Sequence, residues 1–110
     1  MSVVALALGA VLMMTAVVVG AAGQVVAARH RAEASADQSA LAAAGAALHA
    51  GSAAACARAG LVSNAHGTRL VRCEVQPDLT VRVEVTEQLP PRLATLTGAT
   101  SVRGRARAGP

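Results

Sequence analysis

VVAARHRAEASADQSALAAAGAALHA, Val25 to Ala50, is where a chain without charge first acquires it, and its reading decides the fold. Upstream, VVALALGAVLMMTAVVVGAAGQVV from Val3 to Val26 offers only Thr15 and Gln24 as polar side chains. Within the stretch itself Ala dominates from residue 32 onward and Pro is absent, so nothing stops a helix; Gly45 costs only about 1 kcal/mol relative to Ala. A helix unbroken from Val3 to Ala50 is about 72 Å long at about 1.5 Å per residue. On its aqueous part Leu41 and Leu48 share a face with Ala44 and Gly45 between them, and Glu33 and Asp37 sit one turn apart. This predicts a shallow apolar stripe of mostly small side chains, with Leu41, Ala44 and Leu48 as packing residues against a sheet or another helix.

The apolar run is long enough for a membrane. About 20 such residues cross a hydrocarbon core of about 30 Å, and a 110-residue chain without aromatics could hardly cover so long an apolar cylinder. Residues 1–28 are therefore expected to be a membrane anchor and residues 29–50 its soluble continuation. A removable secretory signal is the other reading: small residues around Gly20 to Gly23 would admit a signal peptidase, but MSVVALALG has no basic n-region. The length of the run, and the absence of a helix breaker at its end, favour retention.

Two arguments about orientation conflict. Arg29 and Arg31 mark the membrane boundary, and the positive-inside rule would place the C-terminal part of the chain in the cytoplasm. Cys56 and Cys73 argue the reverse, because a small domain with a thin core gains a few kcal/mol from a disulfide in an oxidising compartment. Two buried thiols are the alternative.

Composition narrows the partners. The chain has no Phe, Trp, Tyr or Lys and a net charge of +4, and eight of its ten Arg lie beyond residue 51, against Glu74, Asp78, Glu84 and Glu87. Such a surface attracts phosphate or anionic lipid. Without aromatic stacking platforms, and with most Arg alternating with apolar residues, nucleic acid is not an expected partner.

Gly51, Ser52 and Gly60 mark the end of the long helix and a short irregular or helical connection, AAACARAGLVSNAHG. After Gly67 the period becomes two. In TRLVRCEV, Val71, Cys73 and Val75 fall on one face and Arg72 and Glu74 on the other. In LTVRVEVT, Leu79, Val81, Val83 and Val85 oppose Thr80, Arg82, Glu84 and Thr86. Separated by QPD, the two runs predict an antiparallel hairpin with one buried face, which Pro90 and Pro91 end. TSVRGRARA sets Val102, Gly104 and Ala106 against Arg103, Arg105 and Arg107, either a third strand with a charged edge or a basic tail, with the strand preferred. The expected class is α+β: a transmembrane helix continuing into an Ala-rich helix laid on a small antiparallel sheet, with residues 51–110 as a small β domain. Cys56 and Cys73 would tie the connection to the first strand.

No catalytic pattern emerges. Ser35, Ser39, Ser52, Ser63 and Ser101 lack a nucleophile elbow, and His30, His49 and His66 do not space with the cysteines as zinc ligands do. There is no Gly-rich phosphate loop. No enzyme activity, cofactor, metal or small-molecule substrate is expected.

The long apolar N-terminus, the junction ARHRAEASADQSALAAAGAAL with R-x-x-A-x-A-D-x-x-A-L-A-A from Arg31 to Ala43, and the Cys56 and Cys73 pair around a Val-rich hairpin resemble actinobacterial TadE-like proteins. These are small relatives of the TadE/TadG proteins of tight-adherence (Flp pilus) systems. The resemblance covers most of the chain, and Arg29 to Ala44 is its distinctive part. It implies a pilin-like protein of the cytoplasmic membrane, its C-terminal domain outside, working with similar subunits and, indirectly, with a type II/IV secretion ATPase. Unlike a prepilin, residues 1–28 contain neither a basic leader nor Glu. The expectation is thus an uncleaved anchor, or a basic leader upstream of Met1. The alternative function is a secreted effector or binding protein, released by cleavage near Ala22 or Ala28, whose Arg-rich sheet meets an acidic partner.

Overall fold

A computed structural model describes residues 2–109. It contains α1 (Ser2–Ala65), β1 (Arg69–Val75), β2 (Val81–Gln88), α2 (Pro91–Thr97) and β3 (Ser101–Ala108). The class is α+β, as the sequence leads one to expect.

The helical path of α1 is interrupted just past Ala50. Gly51 takes φ 87° and ψ 179°, a backbone region open almost only to glycine, and α1 turns there into a second helical limb. That limb runs back along the first. Thr68, just beyond it, reaches Ser35, whose Oγ lies 2.6 Å from Thr68 Oγ1, so α1 is a helical hairpin. The connection expected before the sheet is thus an ordered layer of the domain. The first limb sets the long dimension of the molecule, 73 Å against 23 and 19 Å across.

The three strands form one antiparallel sheet in the order β1-β2-β3, so the C-terminal arginine run is a strand. Two faces differ from those expected. Between Leu70 and Arg72 the register of β1 on β2 shifts, a bulge that turns Leu70 toward the core and leaves Val71 exposed. Leu79 lies in the hairpin turn at φ 66° rather than on the inner face of β2, where Val81, Val83 and Val85 are buried.

The core is built from small residues. Ala32, Ala36, Ala40, Ala43 and Ala47 of the first limb and Ala55 and Ala59 of the second pack with the three valines of β2. Small side chains let backbones approach, and β3 uses this most. A Cβ on Gly104 would collide with the Ala32 carbonyl and come within 2.7 Å of Glu33 N. Val102, two residues earlier on β3, packs against the cluster that holds Ala28, four residues earlier on α1. Two strand residues advance about 6.8 Å and four helix residues about 6 Å, so the two elements stay in step.

Candidate interaction surfaces

Three surfaces are left uncovered by this packing. The first is the N-terminal part of α1, where Val3, Leu6, Leu12, Met13, Met14 and Val18 are each between 67% and 76% exposed. Among the described residues one helix is therefore long and apolar enough to span a membrane, and none of its most apolar window is buried by the rest of them. A contiguous apolar surface of this kind marks contact with lipid or protein.

The second surface corrects an expectation. Leu41 and Leu48 do not pack on the sheet; they are 63% and 59% exposed. The covered stripe instead consists of Ala28, Ala32, Ser35, Ala36, Ser39, Ala40, Ala43 and Ala47, on the opposite side of the helix. The reason is distance: the Gly104 backbone rests on the Ala32 backbone, and a leucine in that interface would hold the layers apart. Ala44 lies at the edge, half-buried against the core, while Leu41 and Leu48 face outward two turns apart.

The third surface is the outer face of the sheet, a lattice fixed by strand register. Its rows are Arg69, Thr86 and Arg103; Arg72, Glu84 and Arg105; and Glu74, Arg82 and Arg107. Glu84, with its side chain only 13% exposed, accepts a hydrogen bond from Arg103 at 3.1 Å and forms an ion pair with Arg105 at 3.5 Å. Arg82 and Arg107 stand opposite one another with no ion pair to a carboxylate among the described residues. Like charges so placed repel and favour an anion between them. Arg72, Glu74, Arg82, Glu84, Arg105 and Arg107 line an open concavity of about 420 Å³ there.

At the boundary, Arg29 pairs with Glu33 at 3.2 Å along the helix, and Arg31 reaches Glu87 of β2 at 3.1 Å. The exposed Arg29 pair contributes little to stability, whereas Arg31 fastens the helix to the sheet beside a half-buried carboxylate. Cys56 and Cys73 form a disulfide, with Cα atoms 5.8 Å apart across 17 residues, which ties the second limb of α1 to β1. Ser35, Ser39 and Ser63 are all buried. Thr68 Oγ1 donates to the Ser63 carbonyl at 3.0 Å, so in the Ser35–Thr68 bond Ser35 is the donor. At the hairpin tip Asp78 is held below the ordinary aspartate value of 3.8, chiefly because its carboxylate accepts from the Thr80 backbone N–H at 3.0 Å. His30, His49 and His66 lie exposed, and among the described residues no three His, Cys, Asp or Glu converge as a metal site.

Comparisons with protein-family models, characterised proteins and solved structures find no match to this chain.

The element that sequence reading missed is α2. Its signal was present: Pro90 stands at the N-cap, Pro91 opens the first turn, and Gly98 stands past the last in the left-handed region, with its N–H on the Ala94 carbonyl. Proline at the start and glycine past the end is the usual asymmetry of a helix, but in PPRLATLTG the two signals lie only one short segment apart.

Proposed function

We propose that the chain is a non-enzymatic, single-pass, pilin-like subunit of the TadE/TadG kind, serving Flp pilus assembly or a related type II/IV secretion system. The observation that carries this reading is the two-faced α1. An uncovered apolar cylinder continues without a hinge into a helix that carries a sheet on one side and shows Leu41 and Leu48 on the other. Such a chain offers packing surface and no chemistry. Its partners would be other pilin-like subunits, lying helix against helix through the apolar limb and the Leu41 and Leu48 face, with a partner ATPase supplying energy.

In this reading the domain lies outside the cytoplasmic membrane. The Cys56–Cys73 disulfide supports that side, since such bonds persist in oxidising compartments. Arg29 and Arg31 act in the opposite sense by the positive-inside rule, and the disulfide is given the greater weight because it welds two layers of the folded domain. Retention of the anchor is supported by Ala28, which packs with Leu89 and Leu93; release by cleavage there would uncover both leucines.

Alkaline phosphatase fused after residue 109 should be active, and a cytoplasmic reporter at the same place inactive; the reverse pattern would overturn the orientation. The intact N-terminus should be found by mass spectrometry in the membrane fraction, whereas a culture-fluid form starting after residue 22 would establish release. Leu41→Asp with Leu48→Asp should leave the domain's unfolding free energy within the range of ordinary surface changes, about 0.5 kcal/mol, yet abolish co-purification of neighbouring subunits. Undiminished co-purification would remove that face from the proposal.

A further inference from the structure

We propose that α2 is a foot resting in the headgroup–acyl boundary of the phospholipid bilayer that α1 crosses, with Leu96 among the upper acyl chains and Arg92 at the level of the phosphates. This rests on the membrane-spanning reading of residues 3–26.

The position of α2 along α1 carries the argument. Leu93 is buried with Leu89 against Ala28, and Ala21 lies against the same cluster. One turn further on, Leu96 is 64% exposed and overhangs Val17, Val18, Ala21 and Ala22, with which it and Thr97 line an open notch of about 260 Å³. Counting from Val3, about 20 residues fill a hydrocarbon core, which brings its outer limit to about Ala22. Leu96 therefore lies beside the last turns of the span. Helices that lie on membranes bury their apolar face about 5–10 Å into this boundary, and a comparable depth is set here by the packing of Leu93 against Ala28 of the spanning helix.

The backbone of α2 suits a place poor in water. Pro90 and Pro91 have no N–H to leave unpaired. The Pro90 carbonyl accepts from Leu93 N at 3.0 Å and Ala94 N at 3.1 Å, and Gly98 N closes the other end on Ala94 at 2.9 Å. Thr95 and Thr97 turn their hydroxyls back onto the Pro91 and Leu93 carbonyls, at 2.9 and 2.7 Å. The segment thus pairs several of its polar atoms internally while holding a leucine outward, the reverse of what an exposed turn in water gains from. Arg92, exposed on the first turn, can lay its alkyl stem along the apolar surface and extend its guanidinium to lipid phosphate. Lipid is the occupant that fits, because the notch is continuous with the lipid-facing side of α1.

The chain has no Trp, Tyr or Phe, so one introduced Trp is an unambiguous reporter. The full chain carrying Leu96→Trp would be placed in vesicles of phosphatidylcholine and phosphatidylglycerol containing nitroxide lipids labelled either near the headgroup or at the middle of the acyl chain. Leu12→Trp would report the span, and Leu61→Trp, at an exposed site on the second limb, would report any affinity of Trp itself for the bilayer. The expected result is loss of Leu96→Trp emission with the headgroup quencher and little with the mid-chain one, the opposite order for Leu12→Trp, and no loss for Leu61→Trp. If Leu12→Trp is quenched while Leu96→Trp is not, the foot is refuted and the anchor stands; blue-shifted but unquenched Leu96→Trp emission would mean that protein covers it instead. Equal quenching of Leu61→Trp and Leu96→Trp also refutes the foot. If Leu12→Trp escapes both quenchers, the membrane-spanning reading fails and the foot with it.

Discussion

The two parts of the first limb of α1 invert the usual relation between side-chain size and burial. Residues 3–26 carry Val, Leu and Met, most of them more than half exposed; along one face of residues 28–47 Ala and Ser are almost completely buried. One helix thus meets two different surroundings. Along most of the first part no other element of the described chain covers the side chains, so their size meets no steric limit there. Where the neighbour is a strand whose backbone rests on the helix backbone, size is a fault, and the stripe shrinks to methyls and hydroxyls. The few large residues in the second part, Leu41 and Leu48, are turned away from the sheet for the same reason.

The contrast is broken most directly at its tightest point. Gly104→Val should destabilise the domain by about 3 kcal/mol or more, since overpacking here moves backbone against backbone; thermal denaturation checks it, and the same enlargement at Gly9, which has nothing around it, should leave the domain's melting temperature unchanged. A melting temperature for Gly104→Val equal to the parent's would refute the close approach. Removing the disulfide with Cys56→Ser and Cys73→Ser comes next, at about 3 kcal/mol for a loop of this size, and should loosen the second limb in hydrogen exchange while the uncovered limb is unaffected. Two alkylatable thiols in freshly isolated parent protein would show that the bond is not formed.

Finer changes test the hydroxyls of the covered stripe. Ser35 donates to Thr68, whereas Ser39 Oγ is buried with no hydrogen-bond partner among the described residues. Ser35→Ala should cost about 1 kcal/mol, and Ser39→Ala, relieving an unpaired polar atom, should be neutral or stabilising. A larger loss for Ser39→Ala than for Ser35→Ala would reverse this assignment. The smallest effect belongs to the hairpin tip, far from the apolar limb. Because Asp78 has a lowered folded-state value, its contribution is present above the ordinary value of 3.8 and is lost as pH falls below it. Asp78→Asn should slightly flatten the acid limb of the stability profile, and an unchanged limb would argue against the Thr80 contact.

Much of this could be read in the chain. The helix through Val25 to Ala50, the break at Gly51, the valine-lined hairpin and the alternation in the last strand all come from local periodicity, which acts within one element and needs no partner. The packing face of α1 was not legible: by size, Leu41 and Leu48 looked like anchors, and only the presence of Gly104 opposite Ala32 selects alanine. Nor was the inward turn of Leu70, because a bulge depends on the register of two strands. The short α2 escaped because seven residues carry too little pattern to distinguish a helix from a proline-rich loop.

Local pattern along the chain sets where it is apolar, where its backbone bends and which residues alternate. Tertiary structure decided which side of the long helix is covered, that its second limb folds back on the first, and that α2 is laid against the apolar segment. Periodicity sets the direction of a side chain relative to its own element, but what that direction meets depends on how closely two backbones can approach, and this is a property of pairs of elements.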